Sequence, residues 1–198
     1  MAATTHLLYL HGFRSSPASA KAVRMAAEAV RLQRSGRSLS WCCPELPPSP
    51  AGAMALIEKS TRDRPAETLA VIGSSLGGFY ATVLAERRGC RAVLLNPAVD
   101  PATSLADQIG EQTGWHDAEL RFEFTAAHVE ELRAMTPAQI TRPERCFTVI
   151  AKGDEVLDWR QMRARYLASP GRLLEGGDHA LSDLEPHLPD ILQFLGLS

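Results

Sequence analysis

Along the first half of the chain, short apolar runs alternate with longer stretches whose apolar residues recur every three or four positions. Leu7–Leu10 is the first run; Ser19–Arg34 follows, with Ala22, Met25, Ala26, Ala29, Val30 and Leu32 spaced to form one buried helical face. The order repeats as a strand at Leu39–Cys43, a helix at Ala51–Thr61, a strand at Leu69–Ile72, a helix at Ser75–Arg87 and a strand at Ala92–Leu95. Strands with no polar alternation are expected to be covered on both faces, which calls for parallel strands joined by right-handed helical crossovers. The expected fold class is α/β, a doubly wound, mostly parallel sheet.

The rhythm stops after Asn96-Pro97, and about fifty residues pass before the next convincing strand, Phe147–Ala151. Within the gap Leu120, Phe122 and Phe124 alternate with Glu119, Arg121 and Glu123, a period of two that predicts a short strand with one apolar face. Ala126–Met135 then reads as a helix. Residues 100–142 are accordingly expected to form a small cap or elaborated crossover within one domain spanning residues 1–198. The regular alternation returns with a helix at Asp158–Leu167, a strand at Arg172–Leu174 and a last helix ending near Leu195.

Composition narrows the function classes. A chain of 198 residues, 45% hydrophobic and 22% charged, can bury a full core. Its net charge of -2 lacks the basic surplus that nucleic-acid backbones require. Met1–His6 carries no cationic segment, and Leu7–Leu10 is too short for a signal core or membrane span, so a cytoplasmic location is expected. Cys42, Cys43, Cys90 and Cys146 have neither metal nor redox spacing and are expected to be buried thiols, the adjacent pair pointing to opposite faces.

The chemistry concentrates at Gly73-Ser74-Ser75-Leu76-Gly77, a G-x-S-x-G string where an apolar strand meets a helix. In that context the pattern is a nucleophile elbow, a sharp turn that lifts a serine above the sheet and needs glycines where neighbouring chains pass closely. Ser75 is the candidate nucleophile, and the N–H of Leu76, at the start of the helix, is a candidate oxyanion donor. A serine needs a base and a carboxylate, in the chain order Ser, Asp or Glu, His. His179 lies on the glycine-rich loop after the last strand; His6, His116, His128 and His187 do not follow strand ends. Asp154, Glu155 and Asp158 are the acid candidates. Asp154 lies nearest the strand end, whereas Asp158, with Gln161 three residues on, suits a helix N-cap. Asp178 reads as a loop residue, and Ser182 with Glu185 as another capping box. His11-Gly12-Phe13 ends the first strand, so the Phe13 N–H is the second oxyanion candidate and His11 a brace for the turn. Arg14, Trp115, Phe122 and Phe124 are candidate substrate contacts. No cluster calls for a metal, and the reaction needs no cofactor.

The stretches "LYLHGFRSSPASAKA", "GSSLGGFYA", "LNPAV", "GDEVLD" and "GGDHALSD" together resemble the YqiA-like small bacterial esterases of the α/β-hydrolase superfamily, over nearly the whole chain. The resemblance implies a minimal α/β-hydrolase fold lacking the leading antiparallel strands, with a cap too small to enclose a bulky lipid. It implies a Ser75, Asp154, His179 triad acting on a small-molecule carboxylic ester, or an acyl-CoA thioester. Two alternatives stay open. The same triad could act on a C–C bond or activated amide, or the scaffold could serve as a binding module without turnover.

Overall fold

The computed structural model describes residues 3–115, 117 and 119–198; Met1, Ala2, His116 and Ala118 lie outside the described residues. The chain runs β1 (His6–Leu10), α1 (Ala20–Arg34), β2 (Ser40–Cys42), α2 (Pro50–Thr61), β3 (Leu69–Ser74), α3 (Leu76–Arg88) and β4 (Arg91–Leu95). Between β4 and the next sheet strand come α4 (Pro101–Ser104), β5 (Gly110–Thr113), β6 (Arg121–Phe124) and α5 (Ala126–Met135). The chain closes with β7 (Cys146–Ala151), α6 (Trp159–Arg165), β8 (Gly171–Leu174) and α7 (Leu188–Leu195).

Six strands form one sheet in the order β2-β1-β3-β4-β7-β8, every pairing parallel. Strands β1, β3, β4 and β7 are almost entirely buried, as their unbroken apolar runs require. Alternate residues feed two cores. Leu8, Leu10, Val71 and Leu94 pack with α2, α3 and α5 on one face. Leu7, Tyr9, Ile72 and Val93 pack with α1 and α7 on the other. This is the doubly wound α/β arrangement that the pattern predicts. Each large apolar side chain so enclosed contributes about 1.5–3 kcal/mol.

The order fixes where chemistry can sit. The chain moves from β1 outward to β2, then returns to place β3 on the other side of β1. A crevice opens where such a sheet reverses direction, beyond the carboxyl ends of the two strands concerned. The loops leaving β1 and β3 carry Gly12-Phe13 and Ser75 into that position.

Several expectations need correction. Cys42 is exposed and Cys43 half-buried, because β2 is an edge strand; only Cys90 and Cys146 are buried. Strand β3 runs on to Ser74, since Gly73 and Ser74 still pair with Leu94 and Leu95 of β4. Ser182 does not cap a helix; its hydroxyl and N–H both donate to the Asp178 carboxylate, at 2.7 and 2.9 Å. Strand β5, with the sequence Gly-Glu-Gln-Thr, pairs antiparallel with β6 although it has no apolar alternation of its own. Asp158, as its sequence context predicts, is the N-cap of α6, accepting from the Arg160 N–H at 2.9 Å. No helix among the described residues is long and apolar enough to cross a membrane.

Candidate active site

Ser75 occupies the single residue between β3 and α3, with φ 55° and ψ -121°. A side chain at positive φ is strained, and it persists only where its surroundings over-determine it. Here they do. The Ser75 N–H donates to the Leu95 carbonyl at 3.0 Å, and the Ser75 carbonyl accepts from the N–H groups of Gly78 at 2.9 Å and Ala98 at 3.0 Å. A Cβ at Gly73 would run into the Gly77 carbonyl, and one at Gly77 into the Leu10 carbonyl. The two flanking glycines therefore answer to close backbone approach. The loop after β1 crosses directly over the serine: a Cβ on Gly12 would stand 3.2 Å from Ser75 Cβ and 3.6 Å from its Oγ.

That loop is braced by His11. Its Nε2 accepts from the Leu46 N–H at 3.1 Å, which leaves Nδ1 as the protonated nitrogen, donating to the Gly12 carbonyl at 3.1 Å. A ring committed on both nitrogens holds backbone in place. Phe13 and Leu76 line the cavity above Ser75. Leu76 opens α3, so its N–H lies outside the helical ladder.

His179 stands on the loop between β8 and α7, with Nδ1 2.8 Å from Asp154 Oδ2. The Asp154 side chain is completely buried, and its Oδ1 accepts from the N–H groups of Val156 and Leu157, both at 2.8 Å. Three donors thus fix one carboxylate. Such an acceptor selects the Nδ1–H tautomer and leaves the His179 Nε2 lone pair available. Of the three acid candidates, Asp154 is the one that meets the imidazole. Glu155 instead accepts the His179 backbone N–H at 3.0 Å.

Ser75 and His179 line a single cavity of about 780 Å³, with Phe13, Leu76, Arg14 and Trp115 also on its wall. Phe122 and Phe124 do not line it. Phe124 is 1% exposed and sits in the core, and both rings meet Phe13 edge-on, at 5.9 and 5.1 Å between centroids. They anchor the β5–β6 hairpin to the loop after β1. Arg14 is a latch on the same hairpin. Its Nε donates to the Thr113 carbonyl at 2.6 Å, its guanidinium lies 4.1 Å from the Trp115 ring centroid, and its carbonyl accepts the Trp115 N–H at 2.7 Å. Among the described residues, no group of three His, Cys, Asp or Glu side chains is placed to hold a metal ion.

Asn96 escaped the sequence reading. It is fully buried with φ 41°; its Oδ1 accepts the Ala151 N–H at 2.8 Å, and its Nδ2 donates to the Asp178 carbonyl at 3.0 Å. One amide thus ties the end of β7, which presents Asp154, to the loop that presents His179. A polar residue immediately beyond the apolar run of β4 was the available signal.

A family described as "Uncharacterised protein family (UPF0227)" matches residues 6–196. The chain belongs to that family. A UPF0227 protein of Serratia proteamaculans (strain 568) is 25% identical over 191 residues, 95% of this chain and 97% of the relative. Among solved structures, mouse alpha/beta hydrolase domain-containing protein 10 superposes with a TM-score of 0.66 at 16% identity, covering 98% of this UPF0227 chain and 92% of the mouse one. A structure reported for LipS and LipT, two metagenome-derived lipolytic enzymes, gives 0.63 at 19% identity, with 98% and 94% covered. The esterase domain of a Rhodothermus marinus protein gives 0.63 at 17%, with 98% and 88% covered. These likenesses establish the α/β-hydrolase fold for this UPF0227 member.

Proposed function

We propose that the protein is a serine hydrolase that cleaves carboxylic esters of small to medium acyl groups, acyl-CoA thioesters included, through a covalent acyl-enzyme. The observation that carries this reading is Ser75 held at φ 55° on the wall of a cavity shared with an imidazole whose far nitrogen is bound to a buried carboxylate. The proteins it resembles in fold include ones named as esterases and lipolytic enzymes.

In this mechanism Ser75 Oγ attacks the acyl carbon while His179 Nε2 takes its proton. The carbonyl oxygen becomes an oxyanion facing the N–H groups of Leu76 and Phe13. The imidazolium then protonates the departing alcohol or thiol as its bond to the acyl carbon breaks. Asp154 stabilises that imidazolium and keeps the ring oriented. Water attacks the acyl-enzyme next, with His179 again as base, releasing the acid and restoring the serine. A cavity of about 780 Å³ falls within the ~300–1,000 Å³ of small-molecule sites, and residues 100–142 supply part of its wall through Trp115.

The test is a chain-length series of p-nitrophenyl esters and acyl-CoA thioesters, assayed with the native protein and Ser75→Ala. Turnover that peaks at short or medium chains and falls by about 10⁶-fold in the folded variant is expected. Turnover that survives Ser75→Ala would remove the serine from the mechanism.

A further inference from the structure

On the proposed serine-hydrolase reading, Asp154 accounts for the far side of the His179 ring, but the loop that carries the ring must also be held. That loop is gripped from two directions. Asn96 Nδ2 donates to the carbonyls of Asp178 and His179, at 3.0 and 3.4 Å. From the opposite element, α1, Lys21 Nζ donates to the carbonyls of His179 at 3.1 Å and Ala180 at 2.7 Å. Lys21 also lines the cavity together with Ser75 and His179.

A lysine is an unexpected choice there. It falls in the first turn of α1, where the helix dipole opposes a cation, and that turn contains no acidic residue to offset it. Burial also works against the charge, drawing the ammonium down to about 8 against the pull of Asp178, Asp154 and Glu155. A neutral donor would have avoided both costs. What the ammonium adds is a positive charge beside a histidine ringed by carboxylates: Asp154 at its Nδ1, Glu155 at its backbone N–H, and Asp178 next to it in the chain. Asp183 lies on the same loop, against Gly177. Of the other groups on the cavity wall, Arg14 is held against Trp115, and Tyr9 of β1 stays uncharged because burial raises its hydroxyl.

We propose that Lys21 is a positioning residue for His179, its ammonium clamping the loop carbonyls and offsetting the surrounding carboxylates so that the imidazole remains an unprotonated base. The sign follows directly. Carboxylates favour the imidazolium and a nearby cation disfavours it. Removing the cation therefore moves proton uptake by the imidazole to higher pH, and the acid limb of the kcat/KM profile moves with it.

The test is a proton NMR titration of the His179 ring in the native protein, Lys21→Met and Lys21→Arg, paired with pH profiles of p-nitrophenyl butyrate hydrolysis. In Lys21→Met the titration midpoint should rise by roughly half to one pH unit, and kcat should fall about tenfold or more with KM changed less than about twofold. Lys21→Arg, which keeps the charge, should retain the native midpoint. Coincident midpoints and equal kcat in native protein and Lys21→Met would overturn the proposal. Should Lys21→Met not fold, the native protein alone decides. Loss of the Lys21 proton, followed on its own side-chain signals, must then be matched by a second inflection in the His179 ring signals at the same pH, and ring signals that do not move there refute the coupling. The titration needs no turnover, so a native protein inert toward every ester would count against the hydrolase reading while leaving the Lys21 result intact.

Discussion

The serine turn and the β5–β6 hairpin border the same cavity and are held by opposite means. The turn is enclosed on every side: its glycines abut backbone carbonyls, and Ser75 hydrogen-bonds to β4, to α3 and to the chain beyond β4. The hairpin has one buried foot, Phe124, and an outer end where Trp115 is 68% exposed and rests on Arg14. On the proposed reading, positional accuracy is built where bonds would be made and broken, and the wall offered to the substrate's variable part is the more exposed one.

If that contrast is right, substitutions should sort by region. The largest effect is expected from Asp154→Asn, which offers an amide donor to His179 Nδ1 and so forces the wrong tautomer; steady-state assays should show a loss of about 10⁴-fold in kcat with the fold kept. Gly77→Ala comes next. Its Cβ has no room beside the Leu10 carbonyl, and a destabilisation above about 4 kcal/mol should appear as loss of the cooperative unfolding transition. On the hairpin, Phe124→Ala empties a core site and should lower stability by about 3–5 kcal/mol in urea unfolding. Trp115→Ala should leave stability within about 0.5 kcal/mol while raising KM for the longer esters more than for the shorter ones. A Trp115 variant as destabilised as the Phe124 one would erase the distinction between foot and tip.

Much of this was legible in the sequence, and for definite reasons. Fully buried strands leave no polar alternation, so β1, β3, β4 and β7 announced themselves; the G-x-S-x-G string is demanding because two of its positions admit no Cβ. Asp154 and His179 could be placed because both lie just past strand ends. What stayed hidden depends on contacts across the sheet. The edge position of β2, which exposes Cys42, is a matter of strand order. Strand β5 is polar and gains its structure from pairing with β6. Phe122 and Phe124 carry the right residue type for a substrate wall, yet the ring of Phe13 claims them. Asn96 and Lys21 look like an ordinary loop amide and an ordinary helix-surface lysine until the His179 loop closes over them.

The central claim is a reactive serine at position 75, and covalent labelling reads it most directly. The native protein, incubated with a fluorophosphonate and digested, should yield one modified peptide bearing the adduct on Ser75 by tandem mass spectrometry, with labelling slowed in Asp154→Asn and absent in Ser75→Ala. A folded native protein that takes up no label, or takes it up equally after Ser75→Ala, would contradict the account.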